Sequence, residues 1–271
     1  MTHPNRLLSR VQGWIIDMDG VLYRDTAVIP GAPEFIRQLQ DDGTPFVLLT
    51  NNSTLTPKQY AEKIGRMGIQ VASAQVLTSS LATADYLLET VGAGTPVYAI
   101  GEDGIMEALA ESGFVLLGEE DYRQARCVVI GLDRTVTFAK LQAASLAIRG
   151  GATFIGTNPD RTLPTPIGLI PGNGALLAAV EAATDRAPFV IGKPQPPIFR
   201  WAIARLGLPA ERVACLGDRL ETDILGGAQV GLFTVFVLSG VSSAEELERF
   251  EPKPDAVFDG PAELLESWRH R

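Results

Sequence analysis

Histidine is almost absent from this chain of 271 residues, and cysteine is equally scarce. The two histidines, His3 and His270, lie close to the termini, where little structure surrounds a side chain. This argues against a Ser-His-Asp triad, a phosphohistidine enzyme and a histidine-rich zinc site. A cysteine-nucleophile phosphatase needs an arginine six positions after the cysteine, but Asp133 and Glu221 hold those positions. Carboxylates, lysine and a metal ion remain as candidates for hydrolytic chemistry.

Long apolar runs are also missing, so the sequence predicts no membrane-spanning helix. Met1–Val11 lacks the apolar stretch and the cleavage site of a signal peptide, and we therefore expect a cytoplasmic protein. The net charge of −9 argues against a nucleic acid or an anionic membrane as a partner, since both attract basic surfaces. Cys127 and Cys215 lie in apolar, strand-like runs, which predicts buried free thiols.

Short apolar runs alternate with amphipathic stretches along most of the chain, as in an α/β protein. Helices of this length between strands imply right-handed crossovers and a parallel sheet. Strands are predicted at 13–18, 45–50, 97–101, 127–132, 153–158, 188–192, 212–217, 232–238 and 255–260, and helices at 30–43, 56–68, 104–113, 137–149 and 197–207.

The two ends of the chain show the same alternation of predicted strands and helices, and a separate unit lies between them. We predict a doubly wound, Rossmann-like parallel sheet formed by residues 1–81 and 187–271. The predicted strand 188–192 belongs to this sheet. Residues 82–186 are predicted to form an inserted α/β domain. Within it, residues 158–174 are rich in proline and glycine, which predicts an ordered loop.

Acidic residues end two predicted strands of the doubly wound sheet, at the edge where such sheets bind ligands. Asp17 lies at the end of the first predicted strand and Asp19 follows it, which places two carboxylates near one point. Alternating aspartates also occur in surface turns, calcium sites and sugar transferases. Asp218 and Asp223 can hold a hard cation through oxygen ligands, although an acidic helix start also explains them.

Two further segments offer groups that suit a phosphate. Thr50, Asn51 and Asn52 end the second strand, and their hydroxyl, amide and backbone N–H groups can donate to phosphate oxygens. A turn or a helix N-cap is an equally good explanation of the three alone. Lys193 follows the strand 188–192 and can offset negative charge, although a lysine at this position is ordinarily solvated. Taken together, the four segments supply carboxylates, phosphate donors, a cation and metal ligands.

This set of motifs resembles the haloacid dehalogenase-like superfamily of phosphatases. The insertion, between the second and third motifs, resembles the branch with a large α/β cap of the C2 type, subfamily IIA. GTNPD at 156–160 and PGNGA at 171–175 further resemble the nitrophenyl-phosphatase group, which includes phosphoglycolate and pyridoxal-phosphate phosphatases and a bacterial nucleotidase. The four superfamily motifs match DMDGVL at 17–22, TNN at 50–52, GKP at 192–194 and GDRLETD at 217–223.

The resemblance implies a magnesium-dependent phosphatase that acts on small phosphorylated metabolites, such as sugar, glycolate, nucleotide, pyridoxal-type or aryl phosphates. It makes Asp17 the nucleophile, which forms an aspartyl-phosphate, and Asp19 the general acid and base. Lys193 would offset charge in the transition state. Mg²⁺ would be held by Asp17, the backbone carbonyl of Asp19, Asp218 and, through water, Asp223. The phosphoryl oxygens would be bound by Thr50, Asn51, Asn52 and Lys193.

The resemblance also implies a role for the insertion, as a cap that closes over the site and selects the leaving group. Asn158, Asp160 and Arg161 are our candidates for contacting the substrate from it. The alternative is that Asn158 and Asp160 only shape a turn around the intervening proline. A homodimer is compatible with the resemblance.

Other functions fit the sequence less well. A receiver domain also uses acids at strand ends with a threonine and a lysine, but it needs no inserted domain and no second acid for turnover. A carbon–halogen hydrolase needs no protonated leaving oxygen, so Asp19 argues against it. A sugar transferase would leave Gly192–Pro194 and Gly217–Asp223 without a role, and a binding protein would need none of these groups. The substrate and the oligomeric state stay open.

Overall fold

The computed structural model describes residues 8–165 and 167–271, so that His3 and most of Met1–Val11 lie outside the described residues. No helix within the described ranges is long and apolar enough to cross a membrane. The chain forms two compact units. The first contains the described residues up to Thr50, Tyr60–Leu77 and Lys193–Arg271, and the second contains Asn51–Gln59 and Thr78–Gly192.

Strands and helices alternate along the described chain. The strands are β1 (Gly13–Ile16), β2 (Tyr23–Arg24), β3 (Ala27–Val28), β4 (Phe46–Thr50), β5 (Val76–Thr78), β6 (Pro96–Ile100), β7 (Val115–Leu117), β8 (Cys127–Ile130), β9 (Thr153–Gly156), β10 (Thr162–Thr165), β11 (Gly168–Pro171), β12 (Phe189–Val190), β13 (Val213–Gly217), β14 (Phe233–Val237) and β15 (Ala256–Phe258). The α-helices are α1 (Ala32–Asp41), α2 (Pro57–Gly65), α3 (Ser79–Val91), α4 (Asp103–Glu111), α5 (Phe138–Arg149), α6 (Asn173–Thr184), α7 (Pro196–Leu206), α8 (Leu225–Gln229), α9 (Ala244–Arg249) and α10 (Pro261–Arg269). A π-helical turn, Leu220–Ile224, precedes α8.

A six-stranded sheet in the order β15-β14-β13-β1-β4-β5 forms the centre of the first unit. β1 pairs in parallel with both neighbours, so that Ile16 lies opposite Leu216 on one side and Leu48 on the other. The strand order reverses at β1, as in a doubly wound sheet, and parallel strands present their carboxyl ends at one edge. The predicted α/β fold with a doubly wound sheet is confirmed.

Aromatic packing anchors β1 in this unit. The Trp14 ring contacts Phe35 of α1 edge to face, with 5.2 Å between ring centroids, and Trp268 of α10 at 5.3 Å. All three side chains are buried. Full burial of a large apolar side chain contributes about 1.5–3 kcal/mol, so this cluster holds the strand that leads to Asp17 firmly in place.

The second unit contains a separate five-stranded sheet in the order β12-β9-β8-β6-β7, whose neighbouring strands are parallel. α5 places Ala144 and Ile148 on the face that packs against Ile130 of β8 and Val180 of α6. Spacing by three or four residues along a helix produces such an apolar face. The predicted separate α/β unit is therefore present, with its own core.

Two predictions about this unit are wrong. Phe189–Val190 was predicted to belong to the doubly wound sheet, but it pairs in parallel with β9 in the second unit's sheet. A short apolar strand can complete either sheet, and its sequence does not distinguish them. Residues 158–174, predicted as a loop, contain the antiparallel hairpin β10–β11. Proline and glycine mark hairpin turns as well as loops, and Gly168 has a positive φ of 123°.

Local hydrogen bonds define the start of α2, and the predicted buried thiols are confirmed. The Thr56 hydroxyl accepts a hydrogen bond from the Gln59 backbone N–H, and the Gln59 side chain accepts one from the Thr56 N–H. This reciprocal capping box fixes the start of α2. Cys127 and Cys215 are both buried free thiols.

Candidate active site

Lys193 joins two aspartates from different parts of the first unit. Its Nζ lies 2.6 Å from Oδ1 of Asp17 and 2.7 Å from Oδ1 of Asp223, and it also donates to the backbone oxygen of Leu49 at 3.3 Å. Lys193 is 3% exposed, Asp223 1% and Asp17 9%. Burial alone would lower the pKa of Lys193, but the charges of Asp17 and Asp223 outweigh it and raise the pKa above its usual range. The lysine therefore carries a positive charge beneath the carboxyl edge of the sheet.

Asp218 completes a group of three buried carboxylates. One oxygen each from Asp17, Asp218 and Asp223 lies within 4.8 Å of the others. Burial raises the pKa of Asp17 well above its usual range despite the opposing charge of Lys193, and burial together with the charge of Asp223 raises the pKa of Asp218 to about 6. The positive charge of Lys193 therefore offsets only part of the repulsion among these acids.

A hard divalent cation fits this donor set. Carboxylate oxygens are the ligands that Mg²⁺ and Ca²⁺ prefer, and closely spaced buried carboxylates repel one another until a cation neutralises them. Asp17 follows β1 directly, Asp218 follows β13 directly, and Asp223 lies in the π-helical turn. The chemistry of the site therefore fits the magnesium ion that the sequence predicts.

The segment that follows β14 wraps around Asp218. The Val241 N–H donates to Asp218 Oδ2 at 2.6 Å, and the Ser242 N–H donates to the Asp218 backbone oxygen at 3.1 Å. A Cβ atom added to Gly240 would overlap the Asp218 carboxylate, and so would one added to Gly20. Glycine at these two positions leaves the carboxylate its space.

Asp19 lies apart from this carboxylate group. Its Oδ2 accepts a hydrogen bond from the Tyr23 hydroxyl at 3.2 Å. The Asp19 side chain reaches solvent, yet the protein around it displaces enough water to raise its pKa, while the charge of Lys63 opposes that shift. An aspartate with a raised pKa is suited to hold and release a proton.

The predicted phosphate-binding residues fall in two units. Thr50 is buried at the end of β4 in the first unit, next to β1. Asn51 and Asn52 belong to the second unit, where the Asn52 side chain accepts from the N–H and the hydroxyl of Thr54. The backbone oxygen of Asn51 accepts from the Ser79 hydroxyl at 2.6 Å.

Asn51 and two of the predicted substrate-contacting residues meet inside the second unit. The Asn51 amide donates to Asp160 Oδ2 at 3.2 Å, and the Asn158 amide donates to the Asn51 backbone oxygen at 2.8 Å. The Asp160 N–H donates to Asn158 Oδ1 at 3.1 Å, which is the turn that the sequence offered as the alternative. Asn158 is buried, whereas Arg161 is exposed before β10. The structure thus brings Asn51, Asn158 and Asp160 together, with Arg161 adjacent in the chain.

Sequence reasoning missed Tyr23 and the segment Ser239–Ser242. The signal for the second was present, because Ser239 and Gly240 follow an apolar strand of the doubly wound sheet, where site residues are expected. Tyr23 had no comparable signal. It reaches Asp19 because the chain folds back after Gly20, whose N–H donates to the Tyr23 backbone oxygen at 2.8 Å.

Comparison with known proteins identifies the family. Residues 14–115 match the model of the haloacid dehalogenase-like hydrolases, and residues 190–264 match a second model of that hydrolase type. An acid sugar phosphatase of Staphylococcus aureus is 44% identical over 253 residues, which are 93% of this chain and 95% of its relative.

Solved structures agree with the sequence comparison. A 4-nitrophenylphosphatase from Thermotoga maritima superposes with a TM-score of 0.90 at 36% identity, covering 96% of this chain and 98% of its own. NagD from E. coli superposes with a TM-score of 0.87, also at 36% identity, covering 93% and 98%. Because identity and fold agree over nearly the whole of each chain, this protein belongs to the haloacid dehalogenase-like hydrolases, in the group of NagD and the nitrophenylphosphatases.

Proposed function

We propose that this protein is a magnesium-dependent phosphatase that hydrolyses small phosphomonoesters through an aspartyl-phosphate on Asp17. The observation that carries the proposal is the buried group of Asp17, Asp218 and Asp223, two of which, Asp17 and Asp223, pair with the ammonium of Lys193. It combines a nucleophile, oxygen ligands for a hard cation and a fixed positive charge at one edge of a parallel sheet.

The enzyme class predicted from the sequence is confirmed. An acid sugar phosphatase and a 4-nitrophenylphosphatase match nearly the whole chain, and the chain shares their family and fold. The protein is therefore a phosphoric monoester hydrolase of the haloacid dehalogenase type. The roles of individual residues, the metal and the substrate are our proposals.

Asp17 is the proposed nucleophile. Its carboxylate oxygen attacks phosphorus in line, the bond to the leaving oxygen breaks, and Asp19 gives that oxygen its proton. Water then attacks the aspartyl-phosphate, Asp19 takes the proton from this water, and inorganic phosphate leaves as the Asp17 carboxylate re-forms. A single residue, Met18, separates the two aspartates in sequence, so one short segment carries both roles.

Lys193 and the metal site govern charge in these steps. The Lys193 ammonium opposes the rise that burial causes in the pKa of Asp17, and it offsets charge on the phosphoryl oxygens. Magnesium, held by Asp17, the Asp19 backbone carbonyl, Asp218 and Asp223 through water, would supply further positive charge to the carboxylates and the phosphoryl group. Asp223 thus has two tasks, since it also orients Lys193.

Thr50, Asn51 and Asn52 are proposed to bind the phosphoryl oxygens together with Lys193. Phosphoryl transfer leaves a protein little covalent chemistry beyond the nucleophile, so positioning and electrostatics dominate. The hydrogen bonds that Asn51 makes with Asn158 and Asp160 hold its backbone and side chain in a defined orientation.

The second unit, as the proposed cap, would select the substrate through Asn158, Asp160 and Arg161. Sugar phosphates are the first class to test, because the relative from Staphylococcus aureus is an acid sugar phosphatase. A homodimer and a cytoplasmic location stay predictions from the sequence.

The test is phosphate release from 4-nitrophenyl phosphate and a panel of sugar, glycolate, nucleotide and pyridoxal phosphates, with magnesium or with chelator. We expect magnesium-dependent release that Asp17→Asn abolishes and that Asp259→Asn, an exposed aspartate beyond β15, leaves intact. No release from the folded, magnesium-loaded protein would refute the proposal. A stable phosphoprotein with slow turnover would instead favour a receiver-like function.

A further inference from the structure

Tyr23 is a fully buried tyrosine whose hydroxyl points at the proposed acid and base. It is 0% exposed, and the hydroxyl donates to Asp19 Oδ2 across 3.2 Å. A buried hydroxyl that loses its partner costs free energy, so this hydrogen bond restrains both residues. The contact was not expected from the sequence, and none of the proposed steps uses it.

Backbone hydrogen bonds between Asp19 and Tyr23, and around them, fix the contact between the two side chains. Leu22 and Tyr23 donate their N–H groups to the Met18 backbone oxygen at 2.8 and 3.3 Å, and Gly20 donates to the Tyr23 oxygen. Tyr23 continues into β2, which pairs with β3 through Val28. The turn therefore brings Tyr23 back next to Asp19, and backbone hydrogen bonds to the turn and to β3 fix its position.

The tyrosine ring is also held from its face. Lys63 Nζ lies 4.2 Å from the ring centroid, a cation–π distance. α2 supplies this lysine, so a helix restrains the ring while the turn restrains the backbone. Because the ring is fixed, the Tyr23 hydroxyl is directed at the Asp19 carboxylate.

We infer that Tyr23 is a positioning residue, which holds the Asp19 carboxyl group so that its other oxygen faces the leaving group. This inference rests on the proposed role of Asp19 as the acid that protonates the leaving oxygen. In the proposed mechanism, Tyr23 touches neither substrate nor metal. Its hydroxyl donates to Oδ2, which leaves Oδ1 as the oxygen that carries and transfers the proton.

A positioning role predicts a dependence on the leaving group. Phenyl phosphate and 4-nitrophenyl phosphate have nearly the same shape, but phenolate needs a proton on departure far more than 4-nitrophenolate does. kcat/KM covers only the steps up to loss of the leaving group, where Asp19 acts as the acid. Loss of a general acid's alignment should therefore lower kcat/KM mainly for phenyl phosphate.

The experiment compares the wild type, Tyr23→Phe and a control, Tyr98→Phe, with both substrates. Tyr98 is a buried tyrosine of the second unit whose hydroxyl donates to the Lys140 backbone oxygen. We expect Tyr23→Phe to lower the ratio of kcat/KM for phenyl phosphate to that for 4-nitrophenyl phosphate by about tenfold, the scale of one hydrogen bond. Tyr98→Phe should leave the ratio unchanged, and 4-aminophenylalanine at position 23 should restore most of it.

The ratio does not depend on the fraction of protein that folds, because both substrates are measured on one preparation. In an Asp19→Asn background, Tyr23→Phe should cause no further loss, since it acts through Asp19. An unchanged ratio in Tyr23→Phe, or additive losses with Asp19→Asn, would overturn the inference while leaving the proposed function intact. A wild type that hydrolyses neither substrate would overturn both.

Discussion

The Nζ atom of Lys193 lies 2.6 Å from Oδ1 of Asp17, although 176 positions separate the two residues in the chain. The same ammonium lies 2.7 Å from Oδ1 of Asp223. The three side chains are buried and carry more negative than positive charge when the carboxylates are ionised. Because a buried charge is costly without a partner, each member of this group depends on the others.

Removal of the lysine tests that dependence. Lys193→Met should lower kcat/KM at least a hundredfold, because one preorganised charge in an active site contributes about 10²–10³ in rate. It should also destabilise the chelated protein by about 3–5 kcal/mol, the cost of breaking a buried ion pair. Enzyme kinetics and urea unfolding measure the two effects. Lys58→Met, on the second unit's part of α2, is a control expected to change neither. Normal turnover in Lys193→Met would remove this residue from the site.

Substitution of the proposed metal ligands should separate their roles. Asp218→Asn should raise the magnesium concentration for half-maximal rate at least tenfold, because the site loses one charged ligand. A tenfold change corresponds to about 1.4 kcal/mol of magnesium-binding free energy. Saturating magnesium should restore much of the turnover. Asp17→Asn should be inactive at every magnesium concentration because it lacks the nucleophile. Magnesium titrations of the initial rate distinguish the two variants, and identical curves for Asp218→Asn and the wild type would contradict the assignment.

Gly240 provides a steric test of the same ligand. Gly240→Ala introduces a Cβ where the Asp218 carboxylate lies, so that the carboxylate or the segment Ser239–Ser242 must shift. We expect a raised magnesium requirement and a stability loss of about 1–3 kcal/mol, typical of overpacking. Gly118→Ala is the matched control, because no atom lies within 4 Å of its added Cβ. Equal magnesium titrations for both alanine variants would show that Gly240 has no bearing on Asp218.

Magnesium should stabilise the folded protein. A ligand that binds the native state alone adds about 2.7 kcal/mol of stability at a hundred times its dissociation constant. The thermal unfolding midpoint should therefore rise with magnesium and return on chelation. Asp218→Asn should need more magnesium for the same rise, whereas Asp259→Asn should behave like the wild type. Differential scanning calorimetry measures this without substrate, and an unfolding midpoint indifferent to magnesium would contradict a site formed by these carboxylates.

Asp133, which lies in the second unit away from the proposed catalytic residues, should make the stability of the folded protein depend on pH. Its carboxylate accepts from Lys140 Nζ at 2.8 Å and from the N–H and hydroxyl of Thr135. Burial raises the pKa of Asp133, but these donors outweigh it and lower the pKa below its usual range. Asp133 therefore binds a proton less tightly in the folded state than in the unfolded state. Its ionised carboxylate stabilises the folded protein above the ordinary pKa of about 3.9, and this stabilisation is lost as the pH falls through the lowered pKa of the folded state.

Asp133→Asn should remove this acid dependence and lower stability at neutral pH. Unfolding by urea at a series of pH values, from neutral down to about 3, measures the slope against the wild type. The difference between the two proteins should shrink as the pH falls. A constant difference over that range would mean that Asp133 is not ionised in the folded protein. Asp121→Asn, an exposed aspartate of the same unit, serves as the control.

Local sequence determined much of what the structure contains. Thr56 and Gln59 form the cap of α2 because the interaction is complete within four residues. Asp17 and Asp19 leave β1 together because the apolar run before them is buried as a strand. The motifs also identified the family and the reaction class, since each motif combines residue types with a fixed place at the end of a strand.

Tertiary structure alone decided which distant groups meet. The sequence could not choose the sheet for Phe189–Val190, because pairing depends on which neighbouring strand has a free edge and not on the two residues themselves. It did not reveal that Lys193 bridges Asp17 and Asp223, or that Val241 and Gly240 surround Asp218. Short-range hydrogen bonds and apolar periodicity depend on residues that are close in sequence. Contacts across a hundred or more positions arise only when packed strands bring their ends to one edge.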